Sequence, residues 1–144
     1  MVVNGKKTIS FKQFLTININ LRYISDAWSD LWAIIFYTGQ SVGGLIDLRY
    51  ADLGKGSAYL RKKGRIKAKR IELSAPVCAI LERRRTTYPE DVFVFQSHSN
   101  RVKNRASPVT VIAFNTAIRK VSKVTTGELA SSKNARKVVF WRVP

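Results

Sequence analysis

Nine acidic residues, one histidine, one cysteine and one methionine are a thin supply of reactive groups for 144 positions. With Cys78 and His98 as the only soft ligands, neither a disulfide framework nor a Cys/His metal cluster can be assembled. No metal or other cofactor is therefore expected. The longest strictly apolar run, Leu31 to Tyr37, falls far short of the roughly 18 residues that a membrane-spanning helix needs. The opening MVVNGKKTIS has no apolar signal-peptide core, so the expectation is a cytoplasmic protein with no membrane partner. Gly54-Lys55-Gly56 reads as a turn, because the remaining residues of a phosphate-binding P-loop are missing.

What the chain has in quantity is positive charge. Lys and Arg number 26, giving a formal net charge of +17 and a pI near 10.6. Self-repulsion on that scale is relieved by a polyanion, and nucleic acid is the commonest one. At 45% apolar residues, with seven Phe, five Tyr and three Trp, the chain folds around a core, and its length suits one domain. Cys78 reads as a core residue of a helix, and His98, in the polar QSHSNR, as a surface or phosphate-side residue.

Residues 1–25 read as an N-terminal arm or a linker helix, and 26–144 as the main domain. From Ser25 or Asp26, either a good cap, Trp28, Leu31, Trp32, Ile35 and Phe36 form a helix stripe that Gly39 stops. A short helix over Val42 to Leu48 follows. SAYLRKK and RIKAKRIELS then read as two strands around Gly64. Ser74 and Pro76 open a further helix, with Val77, Ile80 and Leu81 inward and Arg83, Arg84 and Arg85 in its last turn, where they suit the dipole. VFVFQ is a strand or an extended buried segment, and SHSNRVKNRAS a basic loop. Ser107 and Pro108 predict the start of a helix carrying Val111, Phe114, Ile118 and Val121 inward. After the loop TTGELASS, KNARKVVFWRV predicts the start of a last helix.

That order, and the motifs on it, resemble the catalytic domain of phage integrases, the tyrosine site-specific recombinase family. LWAIIFYTGQSVGGLIDLRYADL is similar to the family's first signature block, KKGRIKAKRIELS to its lysine-bearing hairpin, VFVFQS to the segment before its basic loop, and SSKNARKVV to its His-x-x-Arg block. The resemblance implies an α+β fold, mainly helical with a small antiparallel β-hairpin or sheet. It also implies a chemistry. Family members cleave a DNA phosphodiester with a tyrosine nucleophile, while two arginines and a lysine neutralise the pentavalent phosphate and a histidine assists proton movement.

Carried over residue by residue, the lysine matches Lys62, with Lys63 the alternative one position on, and the second arginine matches Arg136. The first arginine falls on Ser41, the usual glutamate on Gly44 and the histidine on Lys133. Tyr23, Tyr37, Tyr50, Tyr59 and Tyr88 all precede the place of the nucleophile. The expectation is a degenerate catalytic-type domain without the C-terminal tyrosine segment. Ser41 also reads as a helix cap, Lys62 as one cation in a basic run, and Arg136 as a cap of a neighbouring element. Duplex DNA would be held by Arg61, Lys62, Lys63, Arg65 and Lys67 of the hairpin, Arg101, Lys103 and Arg105 of the basic loop, and Lys133, Arg136 and Lys137. The function expected is DNA binding connected with integration or site-specific recombination, without cleavage by this chain alone, with an active recombinase or a second copy as further partner. The alternatives are a fragment of an active tyrosine recombinase whose nucleophile lies beyond residue 144, and a basic RNA-binding module.

Overall fold

A computed structural model of the chain describes residues 8–99 and 105–140. Strand β1 (Ile9–Ser10) leads directly into α1 (Phe11–Ile24). Ser10 and Gln13 form a reciprocal cap, each side chain accepting from the other's backbone N–H at 3.1 and 2.9 Å. Residues where an arm or a helix stood open thus form a helix, and its Phe14, Ile17 and Leu21 are buried at i, i+3 and i+7.

Helix α2 (Asp26–Thr38) lies against α1. Ser25 is the cap that forms, accepting from the Ala27 N–H, and Gly39 stops the helix at φ 70°, a left-handed conformation that glycine adopts without strain. The fully buried Trp32 donates its indole N–H to the Phe14 carbonyl at 3.1 Å, so the largest core side chain leaves no orphan donor. Helix α3 (Val42–Leu45) is shorter than the predicted Val42–Leu48, yet Leu45 and Leu48 are both buried as expected.

Strands β2 (Leu53–Gly54), β3 (Ser57–Leu60) and β4 (Lys69–Glu72) form an antiparallel sheet in the order β2-β3-β4, with Ala58 opposite Ile71 and Leu60 opposite Lys69. Ala58 and Leu60 alternate inward from β3. Beyond β3 the hairpin tip closes between Lys63 and Ile66, with Gly64 at φ 57° in the first central position, where such turns need a positive φ.

Helix α4 (Ala75–Thr87) begins after Ser74 as expected, although the Ser74 hydroxyl makes no cap bond. Cys78 on it is half-buried and not a full core residue. Arg84 departs further from expectation. It does not serve the helix dipole at the surface but lies in the core at 1% side-chain exposure, paired with an equally buried Asp30 at 2.9 Å. Asp30 also accepts from Arg22 and from both terminal nitrogens of Arg83. Arg84 further reaches Asp26 and the Val94 carbonyl. The cluster joins α1, α2, α4 and residues 92–96, which turn between single bridges at Phe93 and Gln96 and do not run as a strand or extended segment; Phe93, Val94 and Phe95 are buried as expected.

Helix α5 (Val111–Thr126) starts three residues later than the Ser107-Pro108 signal predicts, and Thr110 is its cap. Ser97 N–H to Ser107 O and Val109 N–H to Phe95 O, both 2.8 Å, hold 107–109 extended beside 95–97, so the backbone there is already committed. The final stretch also differs from expectation. Ser132–Arg136 is a 3-10 helix, and Val138–Val139 is a strand, β5, parallel to β1, with Ile9 opposite Val138. The β-branched pair forms a strand because β1 offers it an edge.

Candidate nucleic-acid interface

Two chain segments far apart in sequence meet beyond the C-terminus of α2. One is 39–42, which leaves Gly39 and enters α3; the other is the 3-10 helix 132–136. Arg136 joins them by donating its Nε–H to the Gly39 carbonyl at 2.8 Å. That bond uses one nitrogen of the guanidinium and fixes the direction of its planar fork. The 3-10 helix is itself anchored, since Ser131 and Asn134 cap it reciprocally and the Ser132 N–H donates to Asn115 Oδ1 of α5 at 2.8 Å. The Ala130 N–H donates to the Ser122 hydroxyl at 2.9 Å, holding the preceding loop to the same helix.

Between these segments lies a cleft of about 820 Å³, whose lining includes Gly39, Ser41, Asn115, Lys133, Arg136 and Lys137. Three of the cationic residues singled out in the sequence thus share one concavity with Ser41. Ser41 occupies the cap position of α3, but its hydroxyl makes no cap hydrogen bond. The cleft offers an anion two or three positive heads and hydroxyl and amide donors, a chemistry suited to phosphate. Asn115 was not singled out beforehand. Its signal is a polar residue beside Phe114, at the edge of the apolar face of α5.

The hairpin is outside that lining. Lys62 donates to the Gly64 carbonyl at 3.2 Å. Arg61 is held by Asp52 through two bonds of 2.9 and 3.0 Å, and Lys63 by Asp47 at 3.3 Å. The hydrogen bond and charge of Asp52 push the Arg61 guanidinium above its ordinary value. Arg65 and Lys67 are exposed and have no acidic partner among the described residues. Of the basic loop, Arg105 is exposed, while Arg101 and Lys103 lie outside the described residues. His98 is half-exposed, stacked on Tyr88 with ring centroids 4.6 Å apart, and within 2.8 Å of Asp91.

None of the five tyrosines lines the cleft. Tyr88 donates to Asp26 at 2.7 Å, which raises its pKa, and burial raises that of Tyr50. Both shifts disfavour the phenolate, the form a nucleophile needs. Asp26 moves the other way. Burial alone would raise it, but the Tyr88 hydrogen bond and the charge and hydrogen bond of Arg84 outweigh burial and lower it.

No family model matches the sequence, and no curated protein is significantly similar to it. Solved structures are. The lambda integrase catalytic core superposes with a TM-score of 0.71 at 15% identity, covering 92% of this chain and 80% of that one. A lambda integrase(75-356) dimer bound to a COC' core site gives a TM-score of 0.72 at 14% identity over 96% and 52% of the two chains. XerA recombinase gives 0.65 at 16% identity over 90% and 47%. The chain therefore has the tyrosine recombinase catalytic fold, in the α+β arrangement that the motifs implied. It spans 38% and 52% of the longer lambda integrase chains.

Proposed function

We propose that this chain binds the backbone of duplex DNA through its cleft and its hairpin tip, in work connected with DNA integration or site-specific recombination. The observation that carries the reading is the convergence of Lys133, Arg136 and Lys137 on one cleft, with Arg136 aimed by the Gly39 carbonyl. The exposed Lys62, Arg65 and Lys67 extend the cationic surface. Its fold neighbours support the choice of ligand, since lambda integrase is seen bound to DNA and the Tn1549 transposon integrase in complex with circular intermediate DNA.

The same residues argue against strand cleavage by the chain alone. A phosphoryl transition state needs its equatorial charge met on more than one side, and loss of a single such donor is worth about 3–4 kcal/mol. Ser41 stands where the resemblance puts an arginine, Lys133 where it puts a histidine, and no tyrosine of the chain lines the cleft. An active recombinase paired with it on DNA would supply these groups, and lambda integrase itself is seen as a dimer and a tetramer.

Salt dependence tests the binding. If about six phosphates are neutralised, log K falls with log salt at a slope near −5, and affinity drops roughly 10³-fold between 50 and 200 mM. Fluorescence anisotropy of a labelled duplex measures this. A slope near zero, or tighter binding to an RNA duplex at matched salt, overturns the reading.

A further inference from the structure

We infer that the outer face of α5 is a second phosphate-contact surface, continuous with the cleft, along which a bound duplex extends. The inference rests on the DNA-binding reading above and adds residues to it. Helix α5 has 16 residues, VIAFNTAIRKVSKVTT, without one Asp or Glu. Its Arg119, Lys120 and Lys123 are all exposed, and none is paired with an acid among the described residues. Like charges at i, i+3 and i, i+4 destabilise a helix, so a solvated helix face normally intersperses acids. On the helices α1 and α4, by contrast, Arg22, Arg83 and Arg84 all meet Asp30. On α5 the repulsion stands uncompensated, which is the arrangement a polyanion relieves.

Position supplies the second argument. Val111 and Asn115 of the same helix line the cleft. Arg119 and Lys123 follow Asn115 at four-residue steps, drifting roughly 40° around the helix per step. They continue the cleft rim away from Arg136. From Asn115 to Lys123 the helix rises about 12 Å, and a DNA strand advances roughly 3.4 Å per base. With one phosphate met by each of Arg119 and Lys123, the ridge adds about two phosphates to one end of the contact.

The test compares two double variants that remove equal charge from exposed positions. Arg119→Gln with Lys123→Gln is expected to reduce the salt slope by about 1.8 and the affinity near 0.1 M on the order of tenfold. Lys12→Gln with Lys55→Gln, on α1 and the β2-β3 turn, is expected to leave the slope within error. The difference is expected to vanish on a duplex shortened by about four base pairs at the end that α5 contacts, found by truncating each end in turn. Equal losses in the two variants indicate a general charge effect and overturn the assignment. So does a full slope in the α5 variant while the wild-type chain binds normally. A wild-type chain that binds no duplex at any salt overturns the parent reading, and this one with it.

Discussion

Replacing Asp30 by asparagine removes one charge from the centre of the ion cluster and keeps the shape. Asp30 and Arg84 are each 1% exposed, and the asparagine leaves Arg84 with Asp26 at 3.3 Å and the Val94 carbonyl at 2.9 Å. Breaking one side of a buried pair costs about 3–5 kcal/mol, because the remaining charge stays desolvated. Arg22 and Arg83 are about half-exposed and add little, since water takes over their hydration. At 2–4 °C per kcal/mol for a domain of this size, Asp30→Asn should lower Tm by roughly 6–20 °C. Urea and thermal unfolding followed by circular dichroism measure both quantities, with an unchanged m-value showing that only stability moved. A double variant, Asp30→Leu with Arg84→Met, should recover most of the loss, as apolar residues of similar volume often replace a buried ion pair without penalty. An Asp30→Asn protein within about 1 kcal/mol of wild type would refute the argument: Arg84 would then have to be hydrated or paired elsewhere.

Asp26 makes stability pH-dependent. Its carboxyl is lowered in the fold, so its contribution is fully present above the unfolded value of about 3.9 and is lost as pH falls through the folded one. Acid titration of unfolding should be shallower in Asp26→Asn, and identical acid limbs would contradict this. Charge reversal of Lys62, Arg65 and Lys67 to Glu should weaken duplex binding by at least a hundredfold, on the order of the counterion term, with unfolding unchanged; Lys63 is spared because Asp47 holds it. Unaltered anisotropy would remove the hairpin from the interface. Neither the wild-type chain nor Ser41→Arg should form a covalent adduct on a nicked suicide duplex, since no tyrosine of the chain lines the cleft. A slow, protease-sensitive band on a denaturing gel from either protein would identify a nucleophile among those five.

Where local signals agree with their surroundings, the sequence was legible. The stripe from Trp28 to Phe36, the stop at Gly39 and the turn at Gly64 each need only their own neighbours to form. Three consecutive arginines at a helix end look alike in sequence, and only the fold buries the middle one, Arg84, against Asp30. Asp30 itself carried the signal, as an acid in line with Ala27, Leu31, Ile34 and Ile35 on the buried side of α2. Thr110 and Ser107 are both good caps, and the choice was made by hydrogen bonds from the 95–97 segment. KVVFW is as good a strand as a helix start, and Ile9, far away in sequence, decided it. For the site, Arg136 and Lys133 could be placed by their block, whereas Asn115 and the Gly39 carbonyl enter only through tertiary contact.

The Arg136 bond to Gly39 and the pairing of β5 with β1 make the cleft a seam between the two ends of the described chain. Its walls meet only after a closure spanning almost all of the fold, and its last segment packs on α2 with Ser132 and Ala135 buried. A polyanion lying across the seam would stitch it shut, so that the ligand and the closing strand act on the same equilibrium. Binding there draws its strength partly from the β1–β5 pairing that joins those two ends.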